Sequence, residues 1–237
     1  MKTIAIIPAR GGSKSIPKKN IKFFCGKPLL YYTINTALKS SLINRVIVSS
    51  DDKEIIDIAL SYGAEAPFIR PENISRDDTT DLPVFKHCLD YLKNIEGYEP
   101  EIVVHLRPTS PLRTLEMIDK GINLLINNPN ADSVRTVCEP SQNPYKMWKI
   151  TNNGFISPLI DTGLNEPYNQ PRQNLPKVYW QNGYIDIVRL NTIINKKSMT
   201  GDSIIPLVVD EKHIIDIDSN ITFKLAEMLF NGEESEQ

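Results

Sequence analysis

Apolar and polar positions fall into two textures along this chain. Thr3-Ile4-Ala5-Ile6-Ile7 is an apolar run without alternation, the pattern of a strand buried on both faces. Arg45 to Ser50 and Glu101 to Leu106 repeat it, and Ala131 to Val137 closes the series. Between these runs the apolar spacing lengthens to that of helices. Pro28 stands where a first turn begins, ahead of a helix from Leu29 to Lys39. Asp51 precedes Glu54 by three, which predicts a capping box and a helix to Tyr62. Thr80 or Asp81 starts a helical stretch through Asn94, and Thr114 caps a helix with Leu115, Ile118, Ile122 and Leu125 on one side. Repeated strand–helix–strand units predict right-handed crossovers and an α/β fold on a parallel sheet.

From about Glu139 the texture changes. Prolines recur at 140, 144, 158, 167, 171 and 176, with Asn, Gln and Tyr between them. Such a stretch excludes a regular crossover helix and predicts short antiparallel strands and loops projecting from the sheet. Asn182-Gly183 reads as a turn leading into a strand from Tyr184 to Val188. Strand signals return from Ile204 to Val209. A last helix, Asn220 to Phe230, sets Ile221, Leu225 and Leu229 together, ahead of an acidic stretch from Gly232 to Gln237 that reads as a frayed tail.

Composition narrows the function classes. The 237 residues are 41% hydrophobic and 24% charged, enough for a packed core in one domain spanning 1–237. A formal net charge of −2 lacks the cationic excess of a nucleic-acid-coating protein. Cys25, Cys88 and Cys138 are widely spaced and form no metal-ligand pattern, as in a reduced chain. Without a signal-like start or an apolar run of about 18 residues, the expectation is a cytoplasmic protein with no membrane contact.

Positive charge is instead local. Arg10, Lys14, Lys18 and Lys19 surround Gly11-Gly12 directly after the first apolar run. Glycines let backbone N–H groups approach an anion closely, and the cations neutralise phosphate oxygens. The loop lacks the spacing of a P-loop and of the dinucleotide fingerprint. Two prolines stiffen the loop Arg107-Pro108-Thr109-Ser110-Pro111-Leu112-Arg113, at the strand end where an α/β sheet holds ligands. Asp77-Asp78-Thr79-Thr80-Asp81 reads either as helix capping or as a nucleobase contact. Asp216-Ile217-Asp218, after Ile214-Ile215, sets two carboxylates on one side of an extended segment, suited to Mg²⁺ completed by ligand phosphates. Capping of the last helix by Asp218 is the competing reading. Arg172, in Gln170-Pro171-Arg172-Gln173, is a natural partner for a substrate carboxylate. His87 and His105 read as helix and strand residues, His213 as a titratable neighbour of the carboxylate pair, and Trp148 and Trp180 as packing or interface residues.

Taken together, these segments resemble the acylneuraminate cytidylyltransferase family, the CMP-sialic acid synthetases. The carriers are Ile7-Pro8-Ala9-Arg10-Gly11-Gly12-Ser13-Lys14, Lys19-Asn20, Gly26-Lys27-Pro28-Leu29, Ile47-Val48-Ser49-Ser50-Asp51, the 107–113 loop, Pro171-Arg172-Gln173, Asn182-Gly183 and Asp216-Ile217-Asp218. The resemblance implies a Rossmann-like, mainly parallel sheet flanked by helices, with a projecting antiparallel dimerisation segment at about 139–180. It implies CTP and a 3-deoxy-2-keto nine-carbon sugar acid as substrates, and Mg²⁺ or Mn²⁺ as cofactor. The sugar's anomeric hydroxyl would attack the α-phosphorus and pyrophosphate would leave. By the same resemblance, Ala9, Arg10, Gly11, Gly12, Ser13, Lys14, Lys19 and Asn20 would hold the triphosphate, and Asp77, Thr79 and Thr80 would approach the nucleoside. Asp216 and Asp218 would bind metal, with Arg10, Lys19 and Asp216 at the chemistry. Arg107, Thr109, Ser110, Lys146, Arg172, Gln173 and Asn182 would face the sugar, and the projecting segment would reach over a partner's site in a homodimer. Arg107 stands where many sialate enzymes carry Gln, and Tyr179-Trp180-Gln181 is a second departure, so legionaminic or pseudaminic acid stays open beside N-acetylneuraminate. A transferase for Kdo or a sugar 1-phosphate, or a non-catalytic nucleotide sensor, is the alternative.

Overall fold

The computed structural model describes residues 1–210 and 215–235. His213 and Ile214, and the chain end at Glu236 and Gln237, lie outside the described residues. The chain runs through β1 (Thr3–Pro8), the short pair β2 (Phe23–Phe24) and β3 (Lys27–Pro28), α1 (Leu29–Leu38), β4 (Arg45–Ser49), α2 (Lys53–Ser61), α3 (Asp81–Glu96), β5 (Ile102–His105), α4 (Leu115–Ile126) and β6 (Ser133–Cys138). It continues through β7 (Trp148–Ile150), β8 (Ile156–Pro158), β9 (Trp180–Arg189), α5 (Leu190–Ile194), β10 (Ile204–Val208) and α6 (Asn220–Ser235).

Six strands form one sheet in the order β10-β6-β9-β5-β1-β4. All neighbours are parallel except β9, which runs antiparallel between β5 and β6. The unalternating apolar runs are explained by burial on both faces. Ala5 and Ile7 pack with Ile34 of α1, Ile55 of α2 and Ile118 of α4. Ile4 and Ile6 point the other way, toward Phe85 and Leu89 of α3. Each such burial contributes roughly 1.5–3 kcal/mol. This is the Rossmann-like α/β sheet expected. Its carboxyl-end crevice lies where β1 meets β4 on one side and β5 on the other.

Three local readings change. The cap of α2 is Asp52, which accepts from the N–H groups of Glu54 and Ile55; Asp51 is held instead by the N–H of Gly11. Asn182-Gly183 makes no hairpin. Gly183 takes φ +69° inside the single strand β9, where the register with β6 shifts, so the glycine serves a bulge. On α6, Ile221, Leu225 and Leu229 do share a face, but that face is exposed; Phe223 and Ala226 are the buried contacts. The helix also continues through Gly232, which the sequence reads as tail.

The proline-rich stretch leaves the main sheet and forms its own antiparallel pair, β7–β8, with short 3-10 turns around it. Among the described residues no helix is long and apolar enough to cross a membrane.

Candidate active site

The loop after β1 is held by its own sequence. Ile16 is fully buried against Phe24, Leu29 and Ile217, and Asn20 donates to the carbonyl of Arg10 at 2.9 Å. Ala9 is buried and its N–H donates to Ser49. Gly11 is required by close approach: a Cβ there would lie 2.7 Å from the Asp52 carboxylate. Its N–H is already used, donating to Asp51 at 3.0 Å, so it is no spare phosphate donor. Gly12 is exposed.

This loop forms one wall of a cavity of about 630 Å³ at the carboxyl ends of β1 and β5. Arg10, Ser13, Lys14, Lys19 and Asn20 line it from the loop, Asp77 and Thr79 from the segment before α3, and Arg107 and Thr109 from the loop after β5. Nine of the twenty site residues expected from the sequence are thus brought together here. Asp77 does not face the cavity alone. Its carboxylate bridges the Arg10 guanidinium at 2.7 Å and the Lys14 ammonium, which hold its pKa below the usual carboxylate range, Lys14 contributing most.

Lys19 donates to the carbonyl of Ile217, and the Ile217 N–H donates to the carbonyl of Thr109. These bonds fix the backbone between Asp216 and Asp218, whose side chains are exposed and do not line the cavity. Burial pulls the Lys19 pKa down, and the two carboxylates partly offset it. Asp218 is not the helix cap. Ser219 and Thr222 exchange the reciprocal bonds of a capping box, while the Asp218 carboxylate accepts from the Thr222 hydroxyl and the Asp218 N–H donates to the same hydroxyl oxygen. Among the described residues no group of three or more His, Cys, Asp or Glu forms a metal cage. Two neighbouring carboxylates without a third protein ligand suit a hard cation that takes its other oxygens from a bound ligand.

At the β5 end, Arg107 is pinned. Its guanidinium donates to Gly183 O and Asp186 at 3.0 Å and to Asp81 at 3.2 Å. His105 lies beneath, fully buried on the cavity floor; desolvation, reinforced by Arg107, keeps its pKa well below the ordinary value and the ring neutral. Arg113 is a structural member of the same loop, donating to Tyr184 O, Arg107 O and the Thr33 hydroxyl.

Several expected residues fall elsewhere. Asn182 is buried in the sheet, accepting from the Thr136 hydroxyl and the Tyr184 N–H, and is not part of the wall. Ser110 is buried behind the loop. Thr80 is exposed at the start of α3, outside the cavity lining. Lys146, Arg172 and Gln173 sit on the β7–β8 segment and do not line the cavity; the Arg172 guanidinium donates to Pro140 O.

The family model described as "Cytidylyltransferase" matches residues 4–150, the half of the chain that carries the cavity. This chain belongs to the cytidylyltransferase family. The CMP-N,N'-diacetyllegionaminic acid synthase of Legionella pneumophila is 34% identical over 231 residues, covering 97% of this cytidylyltransferase and 96% of that protein. The pseudaminic acid cytidylyltransferase of Campylobacter jejuni is 43% identical over 128 residues, 54% of this chain and 55% of that one. A solved CMP:2-keto-3-deoxy-manno-octonic acid synthetase complexed with CTP superposes with a TM-score of 0.70, covering 98% of this chain and 100% of that one. At 16% identity that likeness speaks for the fold.

The cytidylyltransferase also presents a cavity residue that pattern reading passed over. Arg70 is 4% exposed, and its Nε and Nη2 find no hydrogen-bond acceptor among the described residues. Asp51, at 3.6 Å, is beyond hydrogen-bond reach. Burial draws the Arg70 pKa down, and Asp51 partly restores it. A buried guanidinium with spare donors on a cavity wall is equipped to meet ligand oxygens. Its signal was faint, since Phe68-Ile69-Arg70-Pro71 reads as a plain connection.

Proposed function

We propose that this cytidylyltransferase activates a nine-carbon 3-deoxy-2-keto sugar acid with CTP, releasing pyrophosphate and the CMP-sugar. The observation that carries this reading is the pairing of a near full-length relative that makes a CMP-nonulosonic acid with one cavity lined by Arg10, Lys14, Lys19 and Arg70. CTP brings about four negative charges, and nucleotidyl transfer depends on positioning and charge neutralisation more than on covalent help.

In this reading the loop after β1 takes the triphosphate, with Lys19 bound to the Ile217 carbonyl beside the reacting phosphate. Arg70 offers its spare N–H groups to the nucleotide. The Arg107 end of the cavity receives the sugar acid, where a fixed guanidinium faces an anionic substrate. Asp216 and Asp218 would hold Mg²⁺. When bound, the ion would neutralise phosphate charge and lower the barrier to deprotonating the sugar hydroxyl. Asp216, the more open of the two carboxylates in its contacts, is the protein group nearest that role.

The β7–β8 segment exposes Trp148, Ile150, Phe155 and Ile156, an apolar patch of the kind that partners cover. A second copy seated there would bring Lys146, Arg172 and Gln173 toward the partner's sugar end, which accounts for their distance from the cavity of their own chain.

The test is pyrophosphate release with CTP, Mg²⁺ and a panel of sugar acids. Turnover with legionaminic, pseudaminic or N-acetylneuraminic acid is expected. Release supported only by Kdo or by a sugar 1-phosphate would make the reading wrong.

A further inference from the structure

Asp77 engages two cations of the first loop through separate oxygens: Oδ1 meets Arg10 Nη1 at 2.7 Å, and Oδ2 meets Lys14 Nζ. One anionic group spanning two cations is the arrangement a phosphate would adopt at the same place. We propose that Asp77 is a built-in counter-ion of the nucleotide phosphates. It is a positioning residue that competes for Arg10 and Lys14 and so limits how tightly CTP and pyrophosphate are held. The inference rests on the cytidylyltransferase reading, since only a phosphate-bearing ligand would compete with it.

Three observations favour exchange over permanent structure. First, these pairs are open to solvent. The side chains of Arg10, Lys14 and Asp77 are 33%, 82% and 40% exposed, so each ion pair is weak and readily broken. Second, the 70–80 segment does not need them. Arg70 N–H donates to Ser50 O at 2.7 Å, and Arg76 N–H donates to the Thr79 hydroxyl at 3.1 Å, so local backbone bonds shape it. Third, the other cations of the cavity are treated differently. Lys19 is committed to a carbonyl, and the donors of Arg70 lack an acceptor among the described residues. Arg107 also meets carboxylates, Asp81 and the buried Asp186, which pin it in the sheet, whereas Arg10 and Lys14 share one exposed carboxylate. Such a division suits a site that must release a highly charged product. Pyrophosphate leaving Arg10 and Lys14 without a counter-charge would do so slowly, whereas Asp77 can rejoin both as it departs.

The experiment is calorimetric binding of CTP, pyrophosphate and cytidine to the unaltered protein, Asp77→Asn and Asp77→Glu. For Asp77→Asn, CTP and pyrophosphate should tighten by about tenfold, the scale for freeing two exposed ion pairs. Cytidine, which carries no phosphate, should stay within about twofold in the same series. Asp77→Glu, which keeps the charge, should stay near the unaltered protein. The proposal is overturned if CTP and pyrophosphate bind Asp77→Asn no tighter, or if cytidine affinity moves in parallel, which would mark a loop-shaping role. Failure of the unaltered protein to bind CTP would instead sink the functional reading, and this proposal with it.

Discussion

The Lys19 ammonium donates a 2.7 Å hydrogen bond to the carbonyl oxygen of Ile217, joining the first loop to a segment 198 residues later. The same residue is held from the other side, its N–H donating to Thr109 at 2.8 Å, and its side chain is fully buried. A single residue thus ties together the loop after β1, the loop after β5 and the two exposed carboxylates that flank it.

Lys19→Met should remove a phosphate cation and that tie at once. The expected loss is about 10²-fold or more in kcat/KM for pyrophosphate release, and Arg10→Ala should lose about as much. Near-normal turnover in both would remove the loop from the catalytic account. Because burial lowers the Lys19 pKa from its ordinary 10.5, the ammonium discharges below the usual lysine range as pH rises. Activity should therefore decline on the alkaline side, and Lys19→Arg should push that limb to higher pH.

Asp216→Asn should leave folding intact, since the side chain is exposed, and abolish divalent-dependent turnover. Thermal unfolding and a Mg²⁺ titration of the rate distinguish the two effects. If the variant keeps the same metal dependence, the cation belongs to other ligands. Asp218→Asn should be milder in rate, and it should also disturb the start of α6, because Asp218 accepts from the Thr222 hydroxyl.

Much of this architecture was legible because strong local signals agreed with the global fold. The unalternating run at Ile4 to Ile7 reads as a doubly buried strand and is one, whereas the close approach expected between Gly11 and a ligand is made to Asp52, with its N–H taken by Asp51. What escaped depends on partners remote in sequence. Asn182-Gly183 has the chemistry of a hairpin, yet β6 pairs with β9 on both sides of it, at Trp180–Gln181 and Asp186–Val188, and turns the glycine into a bulge. Ile221, Leu225 and Leu229 have helical spacing, but Phe24 and Tyr32 draw Phe223 and Phe230 inward instead. Arg70 owes its importance to burial beside Asp51, which no spacing within its own segment encodes.

Self-association through the β7–β8 segment can be tested on its most exposed apolar residues. Ile150 and Phe155 are 80% and 71% exposed. The unaltered protein should run as a dimer in light scattering, and Ile150→Glu with Phe155→Glu should yield a monomer that still binds CTP but turns over poorly. A monomeric unaltered protein would defeat the shared-site reading of Lys146 and Arg172.

Acid sensitivity should trace in part to Asp132. Its carboxylate accepts from the Thr192 hydroxyl, from Lys196 and from the N–H groups of Ser203 and Asp202, and the last three bonds, Lys196 foremost, depress its pKa below the ordinary 3.8. A depressed folded-state value means the stabilisation is fully present above the unfolded value and fades as pH falls through the folded one. Asp132→Asn should thus lower Tm by a constant amount above about pH 5, and the gap should narrow in more acid solution. A gap that widens toward low pH would show that another group governs the response.

Arg70 bears on both binding and stability. Arg70 makes a long 3.6 Å ion pair with Asp51, and removing one partner of a buried pair destabilises because the other is left without its counter-charge, while replacing both by apolar groups is commonly neutral. Arg70→Met alone should therefore lower Tm, and Arg70→Met with Asp51→Leu should recover part of that loss. CTP affinity should nonetheless weaken by about tenfold or more, because charge-assisted bonds to the nucleotide are lost from a desolvated wall. Calorimetry with CTP beside a melting curve measures both. Normal CTP binding by the folded variant would assign Arg70 to the scaffold, and the nucleotide would then depend on Arg10, Lys14 and Lys19 for its positive contacts.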